Sequence, residues 1–374
     1  MTPGTRTAPV RLSPTAPLLF VQPTTLCNLD CSYCYLPGRT RARLMSFEVA
    51  EAVAEGVGAW AEHHPVALLW HGGEPLTTGT SRFEELLRRF PAARRFPVRH
   101  GVQTNAVLID DAWCELFARR NIRVSVSVDG PVGRNGSRVD RAGRDSAGRA
   151  LAGISTLRRH GIPFTAIAVV RAPSAARARE LYNWFASLGC ASLGVNLVER
   201  KGIQRADETS AHDRVMEFWA ALVDRAESDG RLRVRDVDDA LGFVRAQLAG
   251  TAEARADRPL DPVPMVMWNG DVAPIGPELA GFSSPVHGRF AAANVLGAGL
   301  TQAVARAAGL PWVAEAMRGV AACRAVCDHF SYCRGGSPAN KYFETGSFDG
   351  TETRYCRNSR KALMEGVLHH VGQR

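Results

Sequence analysis

The 374-residue chain is poor in lysine, has no long apolar run and begins without a secretory segment. Of its 46 Lys and Arg residues only Lys201, Lys341 and Lys361 are lysine, so the net charge of +9 is almost entirely arginine. With abundant Ala and Gly, that skew reads as the compositional pressure of a GC-rich genome. No Lys/Arg block interleaved with aromatics occurs, and acidic residues run through most Arg-rich stretches, which argues against nucleic acid as a partner. No apolar stretch approaches the roughly 18 residues of a spanning helix; Phe164–Val170 is typical of the longest. The Pro-rich start (Pro3, Pro9, Pro14, Pro17) lacks the apolar core of a signal peptide. These absences predict a cytoplasmic protein with no membrane partner. A hydrophobic share of 45% excludes collagen-like and wholly disordered readings. The length suits two domains, or one large domain with an extension.

Nine cysteines is an odd number, and without a signal peptide a disulfide framework explains it poorly. The positions sort into Cys27, Cys31 and Cys34; then Cys323, Cys327, Cys333 and Cys356; with Cys114 and Cys190 alone. Clustered thiols in a reducing compartment bind metal or do redox chemistry. The two solitary ones lie in helical or helix-end patterns and read as core packing.

Residues 1–15 read as a loosely attached tail. Apolar runs and amphipathic stretches then alternate: strands at 18–22, 66–70, 99–104, 123–128, 164–170 and 191–197, and helices at 46–63, 81–90, 110–120, 147–160 and 175–188. That order predicts an α/β fold with a parallel sheet and helices outside. Periodicity alone leaves a partial barrel and a doubly wound sheet both open. Past Arg200 the pattern changes to two helices, 212–227 and 234–249, and a charged linker over 251–261. A short strand at 265–268 and an Asn269-Gly270 turn lead into the Cys-rich end. The expected organisation is a tail (1–15), an α/β unit (16–204), a helical bridge (205–262) and a C-terminal unit (263–374).

The first cysteine group is CxxxCxxC directly after a strand. Three thiolates on one short loop can hold three irons of a cubane and leave the fourth open to chemistry. A zinc site would need a fourth ligand, and the loop has no further Cys or His. This spacing, with Asn28, Tyr33 and Tyr35 beside it, resembles the radical S-adenosylmethionine (radical SAM) superfamily. His71-Gly72-Gly73-Glu74-Pro75, Gln103-Thr104-Asn105 and Ser127-Val128-Asp129-Gly130-Pro131, each at a strand end, match its landmarks in order. The resemblance implies a partial (β/α)6 TIM-type barrel, and a 4Fe-4S cluster on Cys27, Cys31 and Cys34. It implies SAM held by Tyr33, Gly72, Gly73, Glu74, Pro75, Asn105, Ser127, Asp129, Arg138 and Asn196, with Glu74 taking the methionyl amine. Arg138 matches the Arg of an HDxxR-like segment whose His-Asp is here Asn135-Gly136. The implied chemistry is reductive cleavage of SAM to a 5′-deoxyadenosyl radical that abstracts hydrogen from an unactivated carbon, with the electron from a carrier such as flavodoxin or ferredoxin.

The second cysteine group resembles the SPASM extension of peptide-modifying radical SAM enzymes. Where the full pattern has further cysteines, this chain has Ile275 and Ser337, so Cys323, Cys327, Cys333 and Cys356 imply one auxiliary 4Fe-4S cluster. A zinc site on the same four thiols is the alternative. Val21-Gln22-Pro23-Thr24, Pro277-Glu278-Leu279, Gly335–Glu344 and Thr351–Arg357 resemble the cyclophane-forming maturases of glycine-rich ribosomal peptides. That implies a precursor peptide of leader plus core as substrate, hydrogen abstraction at a side-chain Cβ and a carbon–carbon bond to an aromatic ring. Glu278 is a candidate for proton handling. The competing readings are a radical SAM enzyme with another substrate, and a non-catalytic iron–sulfur or zinc protein. Phe218 and Trp219 read as core, and His63, His64, His369 and His370 as non-ligands.

Overall fold

The computed structural model describes residues 10–90, 95–204, 210–251 and 257–372. Strands β1 (Leu18–Val21), β2 (Val66–Trp70), β3 (Val98–Thr104), β4 (Arg123–Ser127), β5 (Phe164–Val170) and β6 (Ser192–Leu197) lie side by side in chain order, each parallel to the next. Helices α1 (Phe47–Trp60), α2 (Thr80–Arg88), α3 (Asp111–Arg119), α4 (Ala147–Arg159) and α5 (Ala175–Leu188) provide the crossovers. Local chemistry sets these boundaries. Ser46, Asp110 and Ser174 accept hydrogen bonds from the backbone N–H of Val49, Trp113 and Arg177 and so cap α1, α3 and α5. Gly189 ends α5 in the left-handed region at φ 71°.

Along β5 the residues Phe164, Ala166, Ala168 and Val170 are buried, whereas Thr165 is exposed. The buried set faces the helices, as a parallel strand under a helical layer requires. The expected six-strand α/β arrangement is thus present, and the sheet runs further at both edges. β7 (Arg233–Val234) pairs with β6, and β8 (Met265–Val266) pairs in parallel with β1 while β9 (Val272–Ala273) folds back on β8. The C-terminal segment therefore begins as part of the barrel sheet, by backbone pairing that no local pattern announces.

Two helices follow β6: α6 (His212–Asp229) and α7 (Arg235–Leu248), with β7 between them. Phe218 and Trp219 of α6 are fully buried, as expected for core, and the C-terminal helix Ala362–Gly372 packs on α6, with Gly366 closely set against Met216, Trp219 and Ala220. Cys114 and Cys190 are buried in the same core. A second apolar cluster under the C-terminal region unites Ile275, Leu279, Phe290, Trp312 and Phe348.

One expectation is corrected. The tail is held from residue 10 onward: Leu12 bridges Leu260, Ser13 N donates to Leu260 O at 2.8 Å, and Leu260 N donates to Arg11 O at 2.8 Å. A strand-like pairing to a segment about 250 positions away outweighs the Pro-rich composition. Residues 1–9 of that expected tail, and 252–256 of the expected linker, lie outside the described residues.

Candidate active site

The C-terminal ends of β1–β6 converge on one face, where parallel α/β sheets place their ligands. The β1–α1 loop brings Cys27, Cys31 and Cys34 there, with Cys34 N donating to Cys31 O at 3.1 Å in a tight turn. The Cys27 thiol is pushed up to about 12 by burial and the nearby Glu74, with smaller contributions from Cys31 and Cys34. The three thiols are near enough to repel one another as anions, and the loop has no fourth Cys or His; three thiols are the donor types that a cubane with one open iron uses.

The Gly72-Gly73-Glu74-Pro75 turn after β2 is packed directly on this loop. Glu74 N donates to Leu26 O at 2.7 Å. Gly73 has φ +68°, and a Cβ there would lie 2.5 Å from Leu26 O and 2.8 Å from Thr24 O. Pro75 starts a short 3-10 turn, Pro75–Thr78. The Glu74 side chain is turned inward. Its carboxylate is 2% exposed and accepts from Leu76 N at 3.1 Å, Thr104 Oγ1 at 2.7 Å and Asn105 N at 2.7 Å. It ties β2 to β3, because burial forces a carboxylate to collect internal donors. Asn105 in turn donates through Nδ2 to Asn28 Oδ1 at 2.7 Å, linking β3 to the cysteine loop.

Tyr33, Asp129 and Arg138 come together as one buried group. Tyr33 OH donates to Asp129 Oδ2 at 2.7 Å, Arg138 donates to the Tyr33 hydroxyl, and Arg138 lies 3.9 Å from Asp129 Oδ1. Burial pushes the Asp129 carboxyl up and Arg138 pulls it back. Asn135, which stands in the departed part of the HDxxR-like segment, accepts from Asp129 N at 3.0 Å and is fully buried. Ser127 accepts from Gln103 Nε2 at 2.7 Å. Asn196 is exposed on β6 and has no side-chain partner among the described residues.

A second polar group joins the barrel mouth to the C-terminal region; of its residues the sequence reading made Glu278 a candidate for proton handling and gave Lys201 no role. Lys201 Nζ bridges Glu278 Oε1 at 2.8 Å and Glu199 Oε1 at 3.2 Å; Asn340 Nδ2 donates to Glu199 Oε2 at 2.6 Å. Despite burial, Lys201 holds Glu278 below the ordinary carboxylate range, while burial raises Glu199. Beside them Tyr35 hydrogen-bonds His71 Nε2 at 3.0 Å, and burial lowers His71 to about 4. The signal that could have found Lys201 is its rarity in a chain that otherwise uses arginine.

In the C-terminal region, Cys323 lies on the helix Pro311–Val326, Cys327 at its end, Cys333 on Phe330–Cys333 and Cys356 on Arg354–Cys356. The Cys333 thiol is raised by burial and by Cys327 and Cys323, and Cys356 is raised to about 11 by burial and by Cys333. Cys333 is thus within electrostatic reach of Cys323, Cys327 and Cys356, four thiols of the type that ligates an iron–sulfur group. Ile275 is buried in the second apolar cluster, and Ser337 caps the helix Pro338–Thr345 by accepting from Asn340 N.

The Radical SAM superfamily profile matches residues 21–185. An uncharacterized protein of Synechocystis sp. is 29% identical over 366 residues, covering 94% of this chain and 91% of that one. The serine-type anaerobic sulfatase-maturating enzyme of Klebsiella aerogenes is 34% identical over 175 residues, 44% of this chain and 42% of that enzyme, so the likeness spans less than half its length. Native anSMEcpe with bound AdoMet and Cp18Cys peptide shares the fold at TM-score 0.74 and 19% identity, over 95% of this chain and 98% of that one. Streptococcus suis SuiB bound to precursor peptide SuiA does so at TM-score 0.65 and 16% identity, over 91% and 76%. The superfamily match over residues 21–185, and a parallel α/β sheet with three thiols at its C-terminal face, are what this chain has in common with radical SAM domains.

Proposed function

We propose that this chain is a radical SAM maturase that joins a side-chain Cβ of a ribosomally made peptide to an aromatic ring carbon, forming a cyclophane. The observation that carries the reading is the Lys201–Glu278 pair at the barrel mouth. It places an ionised carboxylate from the C-terminal region beside the loop that bears the three thiols. Two chains of the same fold, anSMEcpe and SuiB, hold peptides in their solved structures, which supports a peptide as the substrate here.

When bound, a 4Fe-4S cluster on Cys27, Cys31 and Cys34 together with SAM supplies a 5′-deoxyadenosyl radical able to take a hydrogen atom from a Cβ. The chain's own residues position and shield. Gly72 and Gly73 let the backbone of the β2 turn come close, Asn105 fixes the cysteine loop, and Ser127 with the Tyr33–Asp129–Arg138 group forms the polar wall for SAM. Glu278 accepts the proton that the aromatic ring loses as its new bond forms, with Lys201 keeping the carboxylate ionised until then. Cys323, Cys327, Cys333 and Cys356 would hold an iron–sulfur group, which would supply a one-electron acceptor for the oxidation that completes the bond. Ile275 and Ser337, one a core residue and the other a helix cap, support one such group instead of two. An external flavodoxin or ferredoxin provides the initiating electron.

The test is anaerobic coexpression with a glycine-rich peptide encoded beside the gene, followed by mass spectrometry. One cross-link from two C–H bonds lowers peptide mass by about 2 Da. Unchanged mass alongside active SAM cleavage rules out this substrate class. Iron content of about eight per chain supports two clusters, and about four iron with zinc supports the alternative at the second site.

A further inference from the structure

Each of the three lysines stands at one of the two polar centres. Lys201 lies between Glu199 and Glu278; Lys361 Nζ donates to Glu352 Oε2 at 2.7 Å, within electrostatic reach of Cys356 and Cys327. Lys341 differs from both. It lies on the helix Pro338–Thr345, is 3% exposed, and its Nζ is 3.5 Å from Cys323 Sγ. Among the described residues no carboxylate lies within ion-pair distance of it. The same sulfur is 3.0 Å from the Thr351 carbonyl oxygen.

A buried ammonium without a counter-charge is strongly unfavourable. The polar side-chain atom set against this one is a sulfur, and four cysteine thiolates around an iron–sulfur group provide the missing negative charge. Hydrogen bonds to ligand sulfurs and net charge near the site are among the factors that set the potential of such groups. One-electron reduction adds one negative charge, so a fixed cation beside the ligands favours the reduced form.

We infer that Lys341 is a positioning residue of the second thiol group, whose ammonium compensates the Cys323 thiolate and raises the reduction potential of the iron–sulfur group held there. This rests on the reading of Cys323, Cys327, Cys333 and Cys356 as ligands. The test uses the full chain with Cys27, Cys31 and Cys34 changed to Ala, so that iron and redox signals come from the C-terminal group alone. Iron per chain and an EPR-monitored redox titration are then compared for Lys341, K341M and K341R. The parent holds about four irons. K341M keeps them but moves the potential negative by about 59 mV, tenfold in the one-electron equilibrium, and K341R recovers most of that shift. If K341M sheds its iron, restoration by K341R supports the charge role; failure of K341R with an unchanged melting curve overturns it. K341M with full iron and an unmoved potential also overturns it. A parent with no iron removes the second-cluster reading and this inference with it, a result read from iron content before any potential is measured.

Discussion

Tyr33 and Asp129, 96 positions apart in the chain, share a 2.7 Å hydrogen bond beneath the cysteine loop. Arg138 completes the group, held above its ordinary range by Tyr33, the Cys31 thiol and Asp129 although burial opposes its charge. The loop that carries the thiols is thereby fastened to the end of β4.

Removing Arg138 takes the stronger of two nearby cations from the buried Asp129, which keeps Tyr33 OH and Val169 N as donors and Arg177 as the remaining charge. Arg138→Met is expected to cost about 3–5 kcal/mol, and Tyr33→Phe about 1.5–3 kcal/mol for a hydrogen bond to a charged group. Denaturant melts of the iron-free chain measure both. A Tyr33→Phe midpoint equal to wild type would show that the bond does not stabilise the fold.

Glu74 braces β2 against β3. In Glu74→Gln the amide nitrogen cannot accept, so at least one of the donors Leu76 N, Thr104 Oγ1 and Asn105 N loses its partner, at about 1–3 kcal/mol. The expected result is a lower melting temperature that accompanies any change in SAM binding. Weaker SAM binding with unchanged stability would instead mean that the carboxylate serves the ligand alone.

Gly73 and Gly79 both have positive φ, +68° and +77°, but only at Gly73 does a Cβ meet backbone. At φ 77° and ψ 154°, Gly79→Ala carries conformational strain of about 1–3 kcal/mol. Gly73→Ala must also push the cysteine loop aside, so anaerobic reconstitution should recover substantially less iron than for Gly79→Ala. Equal iron recovery by the two variants is the contrary outcome.

His100 gives the fold an acid-sensitive point. Trp70 Nε1 donates to His100 Nδ1 at 3.1 Å, so that nitrogen is the unprotonated acceptor, and burial lowers the ring to about 4 from its ordinary value of 6.5. Between those values the unfolded chain binds a proton that the folded chain refuses. His100 thus contributes full stability above about pH 6.5, and it is lost as pH falls toward 4, at up to about 1.4 kcal/mol per pH unit. Urea midpoints at pH 7.5 and 5 should fall less steeply for His100→Gln than for wild type; parallel slopes would contradict the assignment.

Glu278→Gln and Lys201→Met should leave 5′-deoxyadenosine formation in place while lowering cross-linked peptide by about 10²-fold, the usual scale of a lost general base. Chromatography of deoxyadenosine beside mass spectrometry of peptide separates the two. Product formation at the wild-type rate in Glu278→Gln removes Glu278 from proton transfer.

Much of this protein is decided by short stretches of sequence. Strand β5 and helix α5 lie at the positions that alternation and caps such as Ser174 and Gly189 prescribe, because those signals act within a few residues. The CxxxCxxC loop and the glycines after β2 are local as well, so their chemistry is legible before any fold is known. Only the tertiary structure turned Glu74 inward, drew Lys201 between Glu199 and Glu278, set Lys341 against Cys323, laid β8 on β1 and tied Leu12 to Leu260. Each joins groups that meet only when the chain packs, and what selects the partner is the cost of a buried charge or an unpaired backbone group, which no segment carries by itself.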